Sequence, residues 1–166
     1  MTLWWMPADR SGPEERMLPV QAWQQAVSFS PDGKNLVYDQ VDRETGPDVW
    51  VLPLQGDRQP RPLSRTRFSE GAGKFSPDGK WVVYCSMESG KAEVYVQPWP
   101  GPGPKIQISS EGGMDPVWRR DGKEIFYRSG DKMMVVAVGS GSSFQAGRTR
   151  PLWEGSYMYG PSSSCG

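Results

Sequence analysis

The amino-acid sequence predicts an all-β chain that is built from repeated units of four antiparallel strands. A turn signature recurs at a nearly constant interval, and short apolar runs bounded by turn residues follow each copy of it. No segment has the periodicity of an amphipathic helix. With 166 residues, the chain is long enough to bury a core, and we treat 1–166 as one domain.

The turn signature is Ser-Pro-Asp-Gly-Lys at 30–34 and 76–80, with a third copy, Arg-Arg-Asp-Gly-Lys, at 119–123. Its spacing of 46 and then 43 residues is typical of a repeat with one supersecondary unit per period. Proline presets the backbone of a turn, aspartate accepts hydrogen bonds from nearby backbone, and glycine tolerates positive φ. Each copy therefore predicts the tip of a β-hairpin, with these structural turn residues: Asp32, Gly33, Asp78, Gly79, Asp121 and Gly122.

The complete units are predicted over about 26–64, 73–109 and 116–153, with incomplete ones over 3–20 and 157–166. Their middle strands, such as 81–85, are apolar at nearly every residue, so both faces must be buried. Because no helices are predicted to cover them, sheet must pack on sheet at both faces. This arrangement is a partial β-propeller of three full blades plus two incomplete ones. A β-sandwich is the alternative, but it predicts no such repeat.

The charge composition limits the classes of partner that the chain is expected to bind. Lys and Arg number 19, as do Asp and Glu, so the absence of net charge argues against a nucleic-acid or anionic-membrane partner. No run approaches the roughly 20 apolar residues of a membrane span. The opening Leu3-Trp4-Trp5-Met6-Pro7 does not resemble a signal peptide, and we assign no compartment from these residues. Cys85 is expected to be a small core residue, and Cys165 lies in a Ser-rich tail.

The motifs of common catalytic sites are missing. The sequence has no histidine, no nucleophile elbow and no phosphate-binding loop. The Ser-x-x-Lys match at 129–132 falls in a predicted hairpin turn, and each repeated aspartate stands alone, unlike the ligands of a calcium loop. We therefore predict that the chain is not an enzyme and holds no metal and no cofactor.

The motifs Phe-Ser-Pro-Asp-Gly-Lys, Trp-Val-Val-Tyr and Glu-Val-Tyr-Val-Gln-Pro resemble those of the TolB-like, WD-repeat-like β-propeller family over about residues 3–159. The segments 98–101 and 115–127 are especially similar to propellers attached to bacterial membrane serine/threonine kinases. The resemblance implies a sensor or interaction module, with an extracytoplasmic location in a full-length member. Similar blades also occur in prolyl-oligopeptidase-type peptidases. Such propellers usually have six or more blades, so we expect this chain to be a fragment that needs further blades or self-association.

We therefore predict a non-catalytic module that binds a protein, peptide or small ligand at a propeller face; the alternative is the gating propeller of a serine peptidase. The binding site is expected at the loops ahead of the first strand of each blade, which converge at the central channel. The candidate binding residues are Gln25, Arg65, Arg67, Phe68, Glu70, Met114 and Asp115. Gly79, inside a hairpin tip, is expected to tolerate substitution less well than Gly90.

Overall fold

The computed structural model describes residues 2–19, 22–139 and 143–156 together with Cys165. These described residues form fourteen β-strands and no helix. The strands are β1 (Trp4–Trp5), β2 (Glu15–Arg16), β3 (Gln24–Phe29), β4 (Asn35–Asp42), β5 (Gly46–Pro53), β6 (Arg61–Ser64), β7 (Glu70–Phe75), β8 (Trp81–Ser86), β9 (Glu93–Pro98), β10 (Ile106–Gln107), β11 (Met114–Trp118), β12 (Glu124–Ser129), β13 (Lys132–Val138) and β14 (Ala146–Glu154).

Twelve of these strands form three antiparallel sheets in which sequential strands are neighbours. The first blade is β3–β6, the second β7–β10 and the third β11–β14, and each has four strands. This confirms the predicted all-β class and the four-stranded antiparallel blades. A separate two-stranded sheet, β1–β2, precedes the first blade. The incomplete unit predicted to begin at Tyr157 lies outside the described residues.

The blades pack face to face because alternate side chains of each middle strand point to opposite neighbours. In β8, Val82 and Tyr84 join the apolar cluster shared with the first blade. Val83, between them, joins the cluster shared with the third blade. A third cluster, which includes Leu3 and Leu36, joins the β1–β2 sheet to the first blade. The second blade is thus covered on both faces, as its apolar strands require.

The Asp-Gly turns join the first and second strands of each blade. Gly33, Gly79 and Gly122 have φ values of 69°, 72° and 74°, which glycine adopts without strain. In the second blade, Ser76 Oγ donates to Asp78 Oδ1 at 2.6 Å, and the same oxygen accepts from the backbone N of Lys80 at 3.1 Å. The first blade repeats both bonds. In the third blade, Asp121 still accepts from the backbone N of Lys123 at 3.0 Å.

Adjacent hairpin tips lie against one another. A Cβ on Gly79 would lie 3.5 Å from Pro31 Cδ, and one on Gly122 would lie 3.7 Å from Pro77 Cδ. The proline of one tip thus packs on the glycine of the next. Gly90 also has positive φ, 90°, so its backbone resists a side chain as well, and the expectation that it is the tolerant position does not follow from its backbone.

Cys85 is buried, as expected of a core residue, but it is not free. It forms a disulfide with Cys165, which lies 80 residues further along the chain. The two cysteines share a small cluster with Ala72 and Ala92. The pairing was not predicted, because the spacing of two cysteines does not reveal which distant segments meet.

Candidate functional site

The first strands of adjacent blades contact one another, since β7 contacts both β3 and β11, and all three of these strands carry an irregularity at the same place. The register of β3 shifts between Ala26 and Ser28, that of β7 between Gly71 and Lys74, and that of β11 between Met114 and Val117. The bulge gives Ala72 and Asp115 positive φ, 59° and 53°. Bulges re-aim side chains and free backbone groups from the ladder. Each blade therefore carries an irregular segment at the same place in its first strand.

The residue beside this bulge on the second strand differs from blade to blade. Asp39, Cys85 and Arg128 occupy the same register position. Asp39 Oδ2 accepts a bond of 3.1 Å from the backbone N of Ala72, in the next blade. Arg128 instead pairs with Asp115 of its own blade, with 2.9 Å between Nη2 and Oδ2. One register position is thus occupied by a carboxylate, a disulfide and a guanidinium in successive blades.

Lys74 lies near the same carboxylate, that of Asp115. Burial lowers the pKa of its ammonium, and the nearby carboxylate of Asp115 opposes that shift. The backbone O of Lys74 accepts a bond of 3.2 Å from Trp118 Nε1, which ties the second blade to the third. The Asp115 carboxylate therefore interacts with two cations, Arg128 of its own blade and Lys74 of the second blade.

The loop between the first and second blades, 65–69, is held in place by the buried carboxylate of Glu70. Glu70 is buried, and its carboxylate accepts from the backbone N of Thr66 at 3.2 Å, from Thr66 Oγ1 and from Ser86 Oγ at 3.4 Å. Burial raises the pKa of Glu70, and the bonds from Thr66 oppose that shift. Above this anchor, the Arg67 guanidinium carbon lies 5.0 Å from the centre of the Phe68 ring. The loop thus holds a cation–π pair at its tip.

Arg65, the first residue of the same loop, is held by the first blade. Its Nη2 lies 3.3 Å from Asp42 Oδ2, and its Nε lies 3.8 Å from Asp48 Oδ2. Asp48 is buried and also accepts from Thr45 Oγ1 at 2.7 Å. Burial raises the pKa of Asp48, with Thr45 and Arg65 opposing. The first two residues of the loop, Arg65 and Thr66, are therefore each tied to a buried carboxylate.

The structure places the predicted binding residues in three environments. Arg65 and Arg67 are exposed, and Glu70 is buried. The half-buried members are Gln25, Phe68, Met114 and Asp115. Because Glu70 cannot be reached by a partner, it supports the loop and offers no contact surface. Lys74 and Arg128 were not among the predicted residues, although the repeat alignment places Arg128 at the position of Asp39.

The described part of the chain contains no group of three or more Cys, Asp or Glu side chains placed to hold a metal ion. Nor do its residues include a helix of the length and apolarity that crossing a bilayer requires. What this face offers is a set of fixed charged and aromatic side chains.

Comparison with known proteins supports the fold. No protein-family model matches the sequence. The chain is 28% identical over 109 residues to the Tol-Pal system protein TolB of Anaeromyxobacter dehalogenans, and this match covers 64% of the chain but 24% of the TolB sequence. It is 35% identical over 68 residues to tricorn protease homolog 2 of Streptomyces coelicolor, covering 41% of the chain and 6% of that protein. The chain thus spans a small part of each of these relatives.

Among solved structures, a TolB-type protein of Agrobacterium tumefaciens superposes with a TM-score of 0.74 at 17% identity. The superposition covers 92% of this chain and 56% of that one. The three successive four-stranded blades, the packing between them and this superposition all indicate the same fold. The fold of this chain is therefore that of the TolB-like β-propellers.

Proposed function

We propose that this chain is a non-catalytic binding module that recognises a protein or peptide through the loops at the channel mouth. The observation that carries the proposal is the fixed 65–69 loop, which presents Arg67 and Phe68 above a buried anchor. Arginine and aromatic side chains dominate the energetics of protein interfaces, and a rigid loop loses little entropy on binding. Asp115, half-exposed on the neighbouring strand, would give the site a carboxylate for polar contacts.

A peptide library displayed on phage provides a test that needs no known partner. Twelve-residue random peptides are selected on the immobilised chain, and the recovered peptides are titrated against variants. The double variant Arg67→Ala with Phe68→Ala is expected to weaken binding at least tenfold, the loss expected when a central anchor is truncated. The matched control is Trp4→Ala with Arg16→Ala, because these residues form another cation–π pair, at 5.0 Å, in the β1–β2 sheet.

Peptides that bind the channel-mouth variant as well as they bind the unchanged chain would overturn this site. So would a selection in which the control pair loses binding equally. Both double variants remove one cation and one ring, so a difference between them reports location and not composition.

A second candidate, the gating propeller of a peptidase, has one specific observation in its favour, the 35% identity to the tricorn protease homologue. The resemblance of 98–101 and 115–127 to kinase-associated propellers favours instead a sensor module. The coding sequence on either side of this segment tests both: a hydrolase domain favours the peptidase, and a kinase domain with a membrane helix favours the sensor.

A further inference from the structure

Three clefts lie side by side on the face that carries the Asp-Gly turns, opposite the channel-mouth loops. The first separates the β1–β2 sheet from the first blade and has a volume of about 220 Å³. The second, between the first and second blades, measures about 570 Å³, and the third, between the second and third blades, about 430 Å³. Gln55 lines both of the first two clefts, and Asp78 lines both of the last two. The clefts therefore form one groove.

Each cleft contains the glycine of a hairpin tip and at least one tryptophan. Trp5 lines the first cleft, Trp99 the second, and Trp81 with Trp118 the third. Trp5 is 49% exposed, and Trp81 and Trp99 are half-buried, so these indoles are partly open to a ligand. The indoles come from different positions of the blades: Trp81 stands where the first blade has Asn35, and Trp99 stands where it has Leu54. What the three clefts share is one partly open indole each, which suits a ligand with several rings that can each meet one indole.

The charges of the groove point to a neutral ligand that both donates and accepts hydrogen bonds. Five acidic and five basic side chains line the three clefts, so the groove has no net formal charge. An anionic or cationic polymer would be favoured by one half of these groups and repelled by the other.

The backbone N–H groups of the hairpin tips already have hydrogen-bond partners within the turn. The N of Gly79 donates to the O of Ser76 at 2.9 Å, and the N of Lys80 donates to Asp78 Oδ1 at 3.1 Å. The tips thus offer no strand edge to which an extended peptide could add by main-chain bonds. What remains for a ligand is the flat indole surfaces and the polar ends of side chains.

We propose that this groove binds a neutral glycan chain, with successive sugar rings seated in successive clefts. A sugar ring has an apolar C–H face that packs on an indole and a rim of hydroxyl groups. The Asp78 carboxylate, whose Oδ1 is occupied by the turn, would accept hydroxyl bonds through Oδ2 on both sides of the second hairpin tip. Lys123 would donate to hydroxyl oxygens in the third cleft. This site lies on the face opposite the channel-mouth loops and is independent of the function proposed above.

The test uses cellohexaose, chitohexaose and maltohexaose, each titrated into the whole chain by isothermal calorimetry up to millimolar concentration. We expect saturable binding of at least one. Asp78→Asn keeps an oxygen that can accept the turn bonds but removes the second carboxylate oxygen, and about a tenfold loss of affinity is expected for a bond to a charged acceptor. Asp9→Asn is the matched control, because Asp9 also accepts from a backbone N two residues on, that of Ser11 at 3.0 Å, and does not line the groove.

Absence of binding by all three hexasaccharides would overturn the proposal. Equal affinity of the Asp78→Asn variant and the unchanged chain would also do so, as would binding of a hexaproline peptide in place of the sugars. If Asp78→Asn lowers the melting temperature, the variant Lys123→Ala is used in its place. This lysine is exposed and lines the third cleft but neither of the other two. Loss of affinity in Lys123→Ala then supports the site, and unchanged affinity refutes it. Channel-mouth variants should bind the sugars normally, so failure here leaves the proposed function intact.

Discussion

Phe29 and Phe75 occupy the same position in consecutive repeats, and this makes a matched pair of stability variants. Phe75 is 6% exposed and belongs to the cluster between the first and second blades, where its ring meets Trp99 edge to face with 6.1 Å between centroids. Phe29 is 60% exposed, because the two-stranded β1–β2 sheet covers less of the first blade than a full blade would. A Phe→Ala substitution therefore removes a buried ring at position 75 and a largely exposed ring at position 29.

The cost of each change can be worked from burial. A buried phenylalanine removes on the order of 150–250 Å² from water, which is about 4–6 kcal/mol at 25 cal per mol per Å². Measured Phe→Ala losses in cores are about 3–5 kcal/mol. Phe75→Ala is thus expected to lower the free energy of unfolding by about 4 kcal/mol. Phe29→Ala should lower it by about 1.5 kcal/mol, since less than half of its side chain is covered and no closed cavity remains.

Urea unfolding followed by circular dichroism measures both variants, and thermal melting provides a second readout. For a chain of this size, about 2–4 °C accompany each kcal/mol, so Phe75→Ala should melt about 8–16 °C lower and Phe29→Ala about 3–6 °C lower. Equal losses for the two variants would refute the reasoning, because they would show that Phe29 is covered as Phe75 is.

Three further outcomes are expected. Gly73→Ala should cost about 1–3 kcal/mol in urea unfolding, because its Cβ would lie 2.6 Å from a valine methyl of the first blade, whereas Gly155→Ala, with nothing within 4 Å, should be neutral. Cys165→Ser should lower stability by up to about 4 kcal/mol, since the disulfide closes a long loop, and the loss should vanish when both proteins are measured in reductant. Because burial raises the folded-state pKa of Asp48 above its unfolded value, this carboxyl destabilises the fold more as pH rises. The stability of the unchanged chain relative to Asp48→Asn should therefore increase from pH 7 to pH 4, and a difference that is constant with pH would contradict the assignment.

The hairpins and blades were predictable because the signals that specify them are local. A turn such as 76–80 carries its own acceptor, its own positive-φ glycine and its own flanking strands. The apolar strand 81–85 showed that both faces of the sheet are covered. These features depend on residues only a few positions apart, so a single sequence contains enough information to infer them.

The candidate site was harder to predict from the sequence because it depends on contacts between residues that are distant along the chain. The bond between Asp39 and Ala72 joins positions 33 residues apart, and the disulfide joins positions 80 apart. Nor does residue type distinguish a buried carboxylate from an exposed one: Asp48 is buried, while Asp57 is exposed. Glu70 was predicted at the channel mouth from its place in the repeat, but its burial beneath the loop depends on Thr66 and Ser86.

The three chemically different residues at one register position have a consequence for how such a chain can be rearranged. A gene in which the blades were shuffled would keep every hairpin and every apolar strand. It would place Cys85 or Arg128 where Asp39 now accepts the backbone N of Ala72, and that amide would lose its partner. The blades are alike as folding units but not interchangeable as neighbours. Their order along the chain is therefore encoded at this register position of the second strand.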